Sequence, residues 1–169
     1  SVKSRGLGDV YKRQFKDNER GDIDRYAGTS TRCSQKLIVS EAVRNEWPIC
    51  TADISKAFLQ GVTYEQLAAM TGEPMREVNF YLPASNIPLL RQLPGFENFN
   101  PQTEVLHCDK PGTGLVDAPR AFSLQLRGVT ETKCKMKSSQ IDAELCMRHE
   151  RGRLVAMLTK HVDDLKLTG

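Results

Sequence analysis

Two short apolar runs, far apart in the chain, each deliver aspartate at a strand end, and this restricts what the chain can fold into. The first surrounds Asp53 in Ala52-Asp53-Ile54-Ser55-Lys56-Ala57-Phe58-Leu59-Gln60-Gly61. The second carries a doublet in His161-Val162-Asp163-Asp164-Leu165. Ile49, Cys50 and Ile54 predict a short strand around Asp53, and residues 154–162 predict a longer one that runs into the doublet. Carboxylates brought together by a sheet suit hard divalent cations, which take oxygen ligands. Two such ions about 3.5–4 Å apart are a recurrent device for moving phosphoryl groups. Taken singly, the same residues are ordinary. Asp53 reads as a turn or cap residue and Asp163-Asp164 as a solvated β-turn. Phe58 reads as core, Asp117 as a helix N-cap, and His161 as a strand residue facing solvent.

The segments between the acids alternate in type. In residues 31–45, Leu37, Ile38, Ala42 and Val43 predict a helix with one buried face, stopped by Trp47-Pro48. A second helix is predicted over 63–70, with Thr63 and Gln66 as a capping box and Gly72 at its carboxyl end. Val78, Phe80 and Leu82 alternate with Asn79 and Tyr81, a strand that Pro83 ends. Residues 84–103 read as loop with a short helix at 88–93, and 104–108 as a strand. After a turn at Lys110-Pro111-Gly112-Thr113-Gly114, Asp117 and Pro119 open a helix expected to end near Arg127, with Gly128 just past it. Residues 145–149 and 154–162 read as a hairpin, and Asp163-Asp164 as a tight turn before Leu165-Lys166-Leu167. The expectation is an α/β (α+β) domain: an antiparallel sheet carrying the acids, backed by helices around 31–45 and 117–128.

A length of 169 residues allows one domain with a substantial core. The net charge of +3 is compatible with a nucleic-acid partner without predicting one. Cys33, Cys50, Cys108, Cys134 and Cys146 form no CxxC pair and read as reduced thiols in an intracellular setting. Cys134, Cys146 and His149 fit no common zinc spacing. No apolar run approaches the ~18 residues of a membrane span, so no membrane partner is expected. Residues 1–14 show no period, and Gly6 to Gln14 resemble translated cDNA adaptor sequence; a basic amino-terminal arm is the other reading. Ser1 and Gly169 read as the ends of a piece of a longer protein.

The order of motifs resembles the reverse transcriptase domain of copia-type retrotransposons. Asp53 to Gly61 is similar to that family's D-V-K-T-A-F-L-N-G, and Gly114-Leu115-Val116-Asp117-Ala118-Pro119-Arg120-Ala121-Phe122 to its G-L-K-Q-A-P-R-A-W. Ser139-Gln140-Ile141-Asp142-Ala143-Glu144-Leu145-Cys146 resembles S-x-x-D-x-x-L-F, and His161 to Leu165 resembles Y-V-D-D-L. The likeness covers roughly residues 25–169 and is specific because four blocks occur in order. It implies a right-hand polymerase palm with partial fingers and no thumb, so the isolated chain is expected to be nearly inactive as a polymerase. It further implies that Asp53 and Asp163 hold two Mg²⁺ ions, or Mn²⁺ in their place, with Asp164 beside them. Backbone amides of Ser55, Lys56 and Ala57 would approach the triphosphate, and Phe58 would act as the gate against ribose. The block from Gly114 would sit beside the template base and incoming nucleotide. His161 stands where the family has Tyr near the primer end, and Val116-Asp117 where it has Lys-Gln.

The implied partners are an RNA or DNA template with primer, dNTP, and the integrase and RNase H parts of a polyprotein, inside a cytoplasmic particle or the nucleus. Three functions stay open at this stage: an RNA-directed DNA polymerase, a remnant with the fold but no catalysis, and a nucleic-acid-binding module that never polymerised. The intact acids favour the first over the second. The modest charge, without interleaved basic and aromatic residues, counts against the third.

Overall fold

The computed structural model describes residues 28–169 in full and the backbone of Val2–Gly6. The described chain is mixed α and β, with all strand pairs antiparallel. Its elements are β1 (Val2–Gly6), α1 (Arg32–Asn45), β2 (Ile49–Asp53), α2 (Tyr64–Thr71), β3 (Val78–Phe80), α3 (Ile87–Leu90), β4 (Glu104–Cys108), α4 (Ala118–Thr132), β5 (Lys137–Ser138), β6 (Leu145–Glu150), β7 (Arg153–His161) and β8 (Asp164–Thr168). They form a five-stranded sheet in the order β2-β8-β7-β6-β5 and a three-stranded sheet in the order β1-β4-β3. Val2–Gly6, within the amino-terminal arm, runs beside β4. The rest of that arm, and the polar stretch up to residue 27, lie outside the described residues. Among the described residues no helix is long and apolar enough to cross a membrane.

Helix α1 begins where sequence chemistry places it. The Thr31 side chain accepts from the Ser34 amide as an N-cap. Asp142, from the turn before β6, completes that end. Its Oδ2 accepts from the Thr31 amide at 2.8 Å and from the Ser34 hydroxyl, and its Oδ1 accepts from the Glu144 amide at 3.0 Å. One carboxylate thus ties the positive end of α1 to the sheet. The helix packs through a narrower stripe than its pattern implied. Ile38 and Ala42 are buried, Ile38 against Leu145 and Met157, whereas Leu37 and Val43 face solvent.

The capping box of Thr63 and Gln66 opens α2, and Gly72 closes it at φ 73°. The helix opened by Pro119 runs through Gly128 to Thr132 instead of ending near Arg127. An interior glycine costs a helix only about 1 kcal/mol relative to alanine, which packing overrides. Asp117 precedes α4 but makes no capping hydrogen bond with its side chain. Its carboxylate pairs instead with Arg76 at 2.7 Å, nearly buried.

A short 3₁₀ turn, Ala57–Gln60, links Asp53 to the rest of the chain and docks on α4. Gly61 makes this contact. A Cβ there would lie 3.1 Å from the Ala121 carbonyl carbon and the Phe122 nitrogen, and the Val62 amide donates to the Ala121 carbonyl at 3.2 Å. The two sequence blocks around Asp53 and Pro119 therefore meet backbone to backbone.

Gly61→Ala should destabilise the chain by about 1–3 kcal/mol through overpacking. Gly128→Ala, with nothing within 4 Å of the added Cβ, should stabilise it by about 0.5–1 kcal/mol. Urea denaturation of both variants checks the contrast. Burial works to raise the Asp142 pKa, but the hydrogen bonds from Ser34, Thr31 and Glu144 outweigh it, so the group lies below the ordinary 3.8. The stability it contributes is complete above that value and is lost as pH falls through the lowered folded pKa. The stability difference between the native chain and Asp142→Asn should therefore shrink below about pH 4.

Candidate active site

Strands β2 and β8 pair with Thr51 opposite Lys166 and Asp53 opposite Asp164. Strand β7 continues the same rungs, with Thr159 opposite Lys166 and His161 opposite Asp164. Residues directly opposed in an antiparallel ladder share a face. One face thus carries an outer rung of Asp53, Asp164 and His161. An inner rung of Thr51, Lys166 and Thr159 lies roughly 7 Å further along the strands. All six line one cleft of about 680 Å³, with Ser30 and Gln35 on the α1 side. That volume falls within the ~300–1,000 Å³ of small-ligand sites.

The acid rung has no direct partner: among the described residues, neither the Asp53 nor the Asp164 carboxylate has a hydrogen bond or cation partner. Like charges directly opposed across strands destabilise a sheet by roughly 0.2–1 kcal/mol.

The loop between β7 and β8 adds strain. Val162 sits at φ 58°, while Asp163 does not share a positive φ. A positive φ at the first loop position alone is the pattern of a type II′ turn, where glycine is usual. For a β-branched residue it is a true outlier, costing about 1–2 kcal/mol. Such strain persists only where surroundings over-determine it. Here the Ile54 amide donates to the Asp163 carbonyl at 3.2 Å, and the Ser30 amide to the Lys160 carbonyl at 2.9 Å. Thr29 bridges to His161. Behind them Lys160 is buried in an ion pair with Glu144 at 3.0 Å. Gly28 leaves room for the Glu144 side chain, which any Cβ at that position would strike.

The cleft therefore brings together Asp53, Asp164 and His161. Asp163 lies half-buried in the loop, joined to the Asp53 segment through its carbonyl, and does not line the cleft. The expected tight turn at Asp163-Asp164 is displaced by one residue: the loop is Val162-Asp163, and Asp164 opens β8. Ser55, Lys56, Ala57 and Phe58 follow Asp53 in the turn towards α4, with Lys56 at φ 52°, Ala57 buried and Phe58 half-buried. Gly114 is exposed at φ 95°, and Gly112 packs near Leu59, so its loop neighbours that turn without reaching the cleft. Gln35, Thr51 and Lys166 escaped the sequence reading. Lys166 was within reach of it, because a residue two places after Asp164 in a strand shares its face.

Among the described residues, no group of three or more His, Cys, Asp or Glu side chains is gathered closely enough to hold a metal ion. What the cleft offers is a carboxylate pair. Mg²⁺ is commonly bound by one or two carboxylates, with water and substrate phosphate completing its shell. The pair fits an ion that arrives with substrate, not a closed protein cage.

No protein-family model and no solved structure matches the chain. It is 28% identical over 156 residues, 90% of its length, to the Retrovirus-related Pol polyprotein from transposon RE2 of Arabidopsis thaliana. The same identity and coverage hold for the polyprotein from transposon RE1 of that plant. The chain is thus similar to a short segment of retrotransposon Pol polyproteins, spanning 9% of each relative's length.

If the acid rung is held against its own repulsion, Asp53→Asn and Asp164→Asn should each stabilise the chain by about 0.2–1 kcal/mol in divalent-free buffer. The double variant should gain little more, because either change alone removes the repulsion. Urea melts of the full cycle check this.

Proposed function

We propose that the chain carries the acid pair of an RNA-directed DNA polymerase of the copia type, its five-stranded sheet serving as the palm. The observation that carries this reading is Asp53 facing Asp164, unneutralised, at a cleft mouth beside a strained loop. It occurs in a chain similar to Pol polyprotein segments. Unpartnered like charges at a strained turn are costly, and a divalent cation removes the cost.

In this reading Asp53 and Asp164 hold Mg²⁺, with Asp163 next to them in the loop. The metal, when bound, stabilises charge on the transferring phosphoryl group and favours ionisation of the attacking hydroxyl. The remaining work belongs to the chain. The β2–β8 ladder fixes the carboxylates, and the buried Lys160–Glu144 pair and segment 28–31 hold the loop. Amides of Ser55, Lys56 and Ala57 approach the triphosphate, and the block that Gly114 opens sits beside the template base and incoming nucleotide. Phe58 discriminates against ribose, and His161 meets the primer end. Template, primer, dNTP and the integrase and RNase H parts of a polyprotein are the proposed partners, within the cell. One observation favours a weakened enzyme. Asp117, where the family has an amide beside the nucleotide, is buried against Arg76.

In primer extension on an RNA template with Mg²⁺ or Mn²⁺ by a parent polyprotein carrying this chain, incorporation should fall at least about 100-fold in Asp53→Asn, Asp163→Asn and Asp164→Asn. Wild-type rates in these variants would contradict the proposal. The chain by itself should be nearly inactive, because holding primer end, metal and triphosphate in line contributes about 7–11 kcal/mol. Robust extension by it would contradict that expectation. Phe58→Ala should raise the use of ribonucleotides relative to deoxyribonucleotides, read from single-nucleotide kinetics. Unchanged discrimination would leave Phe58 as a packing residue.

A further inference from the structure

The inner rung of the cleft carries a cation that the acid rung does not pair with. Lys166 is half-buried and shares the cleft with Asp53 and Asp164, yet it forms no ion pair among the described residues. Its immediate surroundings are the hydroxyl-bearing Thr51 and Thr159 across the strands, with Ser30 and Gln35 on the facing wall. Gln35 donates from its amide nitrogen to the Ser30 hydroxyl at 3.3 Å, so that wall is already ordered. Among the described residues, no aromatic ring lines the cleft apart from the His161 imidazole. The lining residues meet a ligand with charge and hydrogen bonds.

We infer that Lys166, supported by Gln35 and Thr51, anchors a phosphate group of a ligand whose metal-bound end lies on Asp53 and Asp164. This inference rests on the acid pair holding a divalent cation. The two rungs, roughly 7 Å apart along the strands, present a cation-binding end and an anion-binding end to one molecule. A divalent-bridged phosphate ester carries the matching charges. The same chemistry is offered by a free nucleotide and by the backbone of a nucleic-acid strand. A purely charge-balancing role for Lys166 makes a different forecast: its removal would tighten metal binding and leave phosphate ligands unaffected.

The test measures three equilibria on the full chain. They are Mn²⁺ alone by electron paramagnetic resonance, dTTP with Mn²⁺ by calorimetry, and a labelled single-stranded oligonucleotide with Mn²⁺ by anisotropy. Lys166→Met should keep Mn²⁺ binding and lose about tenfold in affinity for at least one phosphate ligand, with Lys166→Arg retaining most of it. A loss confined to dTTP assigns the anchor to a free nucleotide. A loss confined to the oligonucleotide, with a salt slope smaller by about 0.7, assigns it to strand backbone. Unchanged affinity for both ligands overturns the anchor while leaving the acid pair intact. Mn²⁺ binding that is absent, or indifferent to Asp53→Asn, overturns the reading on which the anchor rests. Circular dichroism of Lys166→Met and Lys166→Gln separates lost binding from lost folding, and Lys166→Gln carries the same forecast.

Discussion

The register between β2 and β8 is the constraint on which the site depends. Side chains alternate faces along a strand, so a slip of one residue would move Asp53 away from Asp164 and Thr51 away from Lys166. Apolar burial cannot pin this register, because β2 is an edge strand with every residue exposed. Contacts at its ends do so. The Thr168 hydroxyl donates to the Pro48 carbonyl at 2.8 Å where β2 begins, and the Ile54 amide donates to the Asp163 carbonyl where it ends. The strand is held at both ends, and the rungs between fall into place.

The rest of the molecule supports that pairing from the cleft face, where α1 packs, and from the opposite face. Ile38 of α1 packs with Leu145 and Met157, which keeps β6 and β7 flat against the helix. Asp142 fixes the start of α1 to the turn before β6, and segment 28–31 runs from there over the end of β7. Beneath it lies the Lys160–Glu144 pair. A buried ion pair is poor evidence for net stability, but removing one partner leaves an uncompensated charge and costs several kcal/mol, about 3–5. Its place directly before His161 gives the strained loop a rigid base. On the other side Gly61 lets the turn after Asp53 rest on α4. Stability is spent at the Asp53–Asp164 rung and at Val162, and recovered in the packing around them.

Much of this was legible in the sequence where local chemistry decides the outcome. Thr63 with Gln66 predicts its capping box, Gly72 its left-handed close, and the apolar run before His161 its long strand. The failures occur where tertiary contact overrides a local rule. Leu37 and Val43 share the apolar pattern of α1, but only the Ile38 and Ala42 stripe meets the sheet. Gly128 looks like a helix end, yet α4 continues because its other residues pack. Asp117 has the composition of a cap and is drawn away by Arg76, a partner 41 residues distant. Nothing local to Lys160 announces its buried pairing with Glu144. The acids were found as a group, while their division between loop and strand depended on which residue took the positive φ.

The most direct test is a crystal structure of the chain grown with Mn²⁺ and a deoxynucleoside triphosphate, with the metal located by anomalous scattering. The account predicts an anomalous peak within coordinating distance of both the Asp53 and Asp164 carboxylates, about 2.0–2.2 Å, with phosphate oxygen completing the shell. A structure in which the two residues stay paired across β2 and β8 while the metal sits elsewhere, or nowhere, would contradict it.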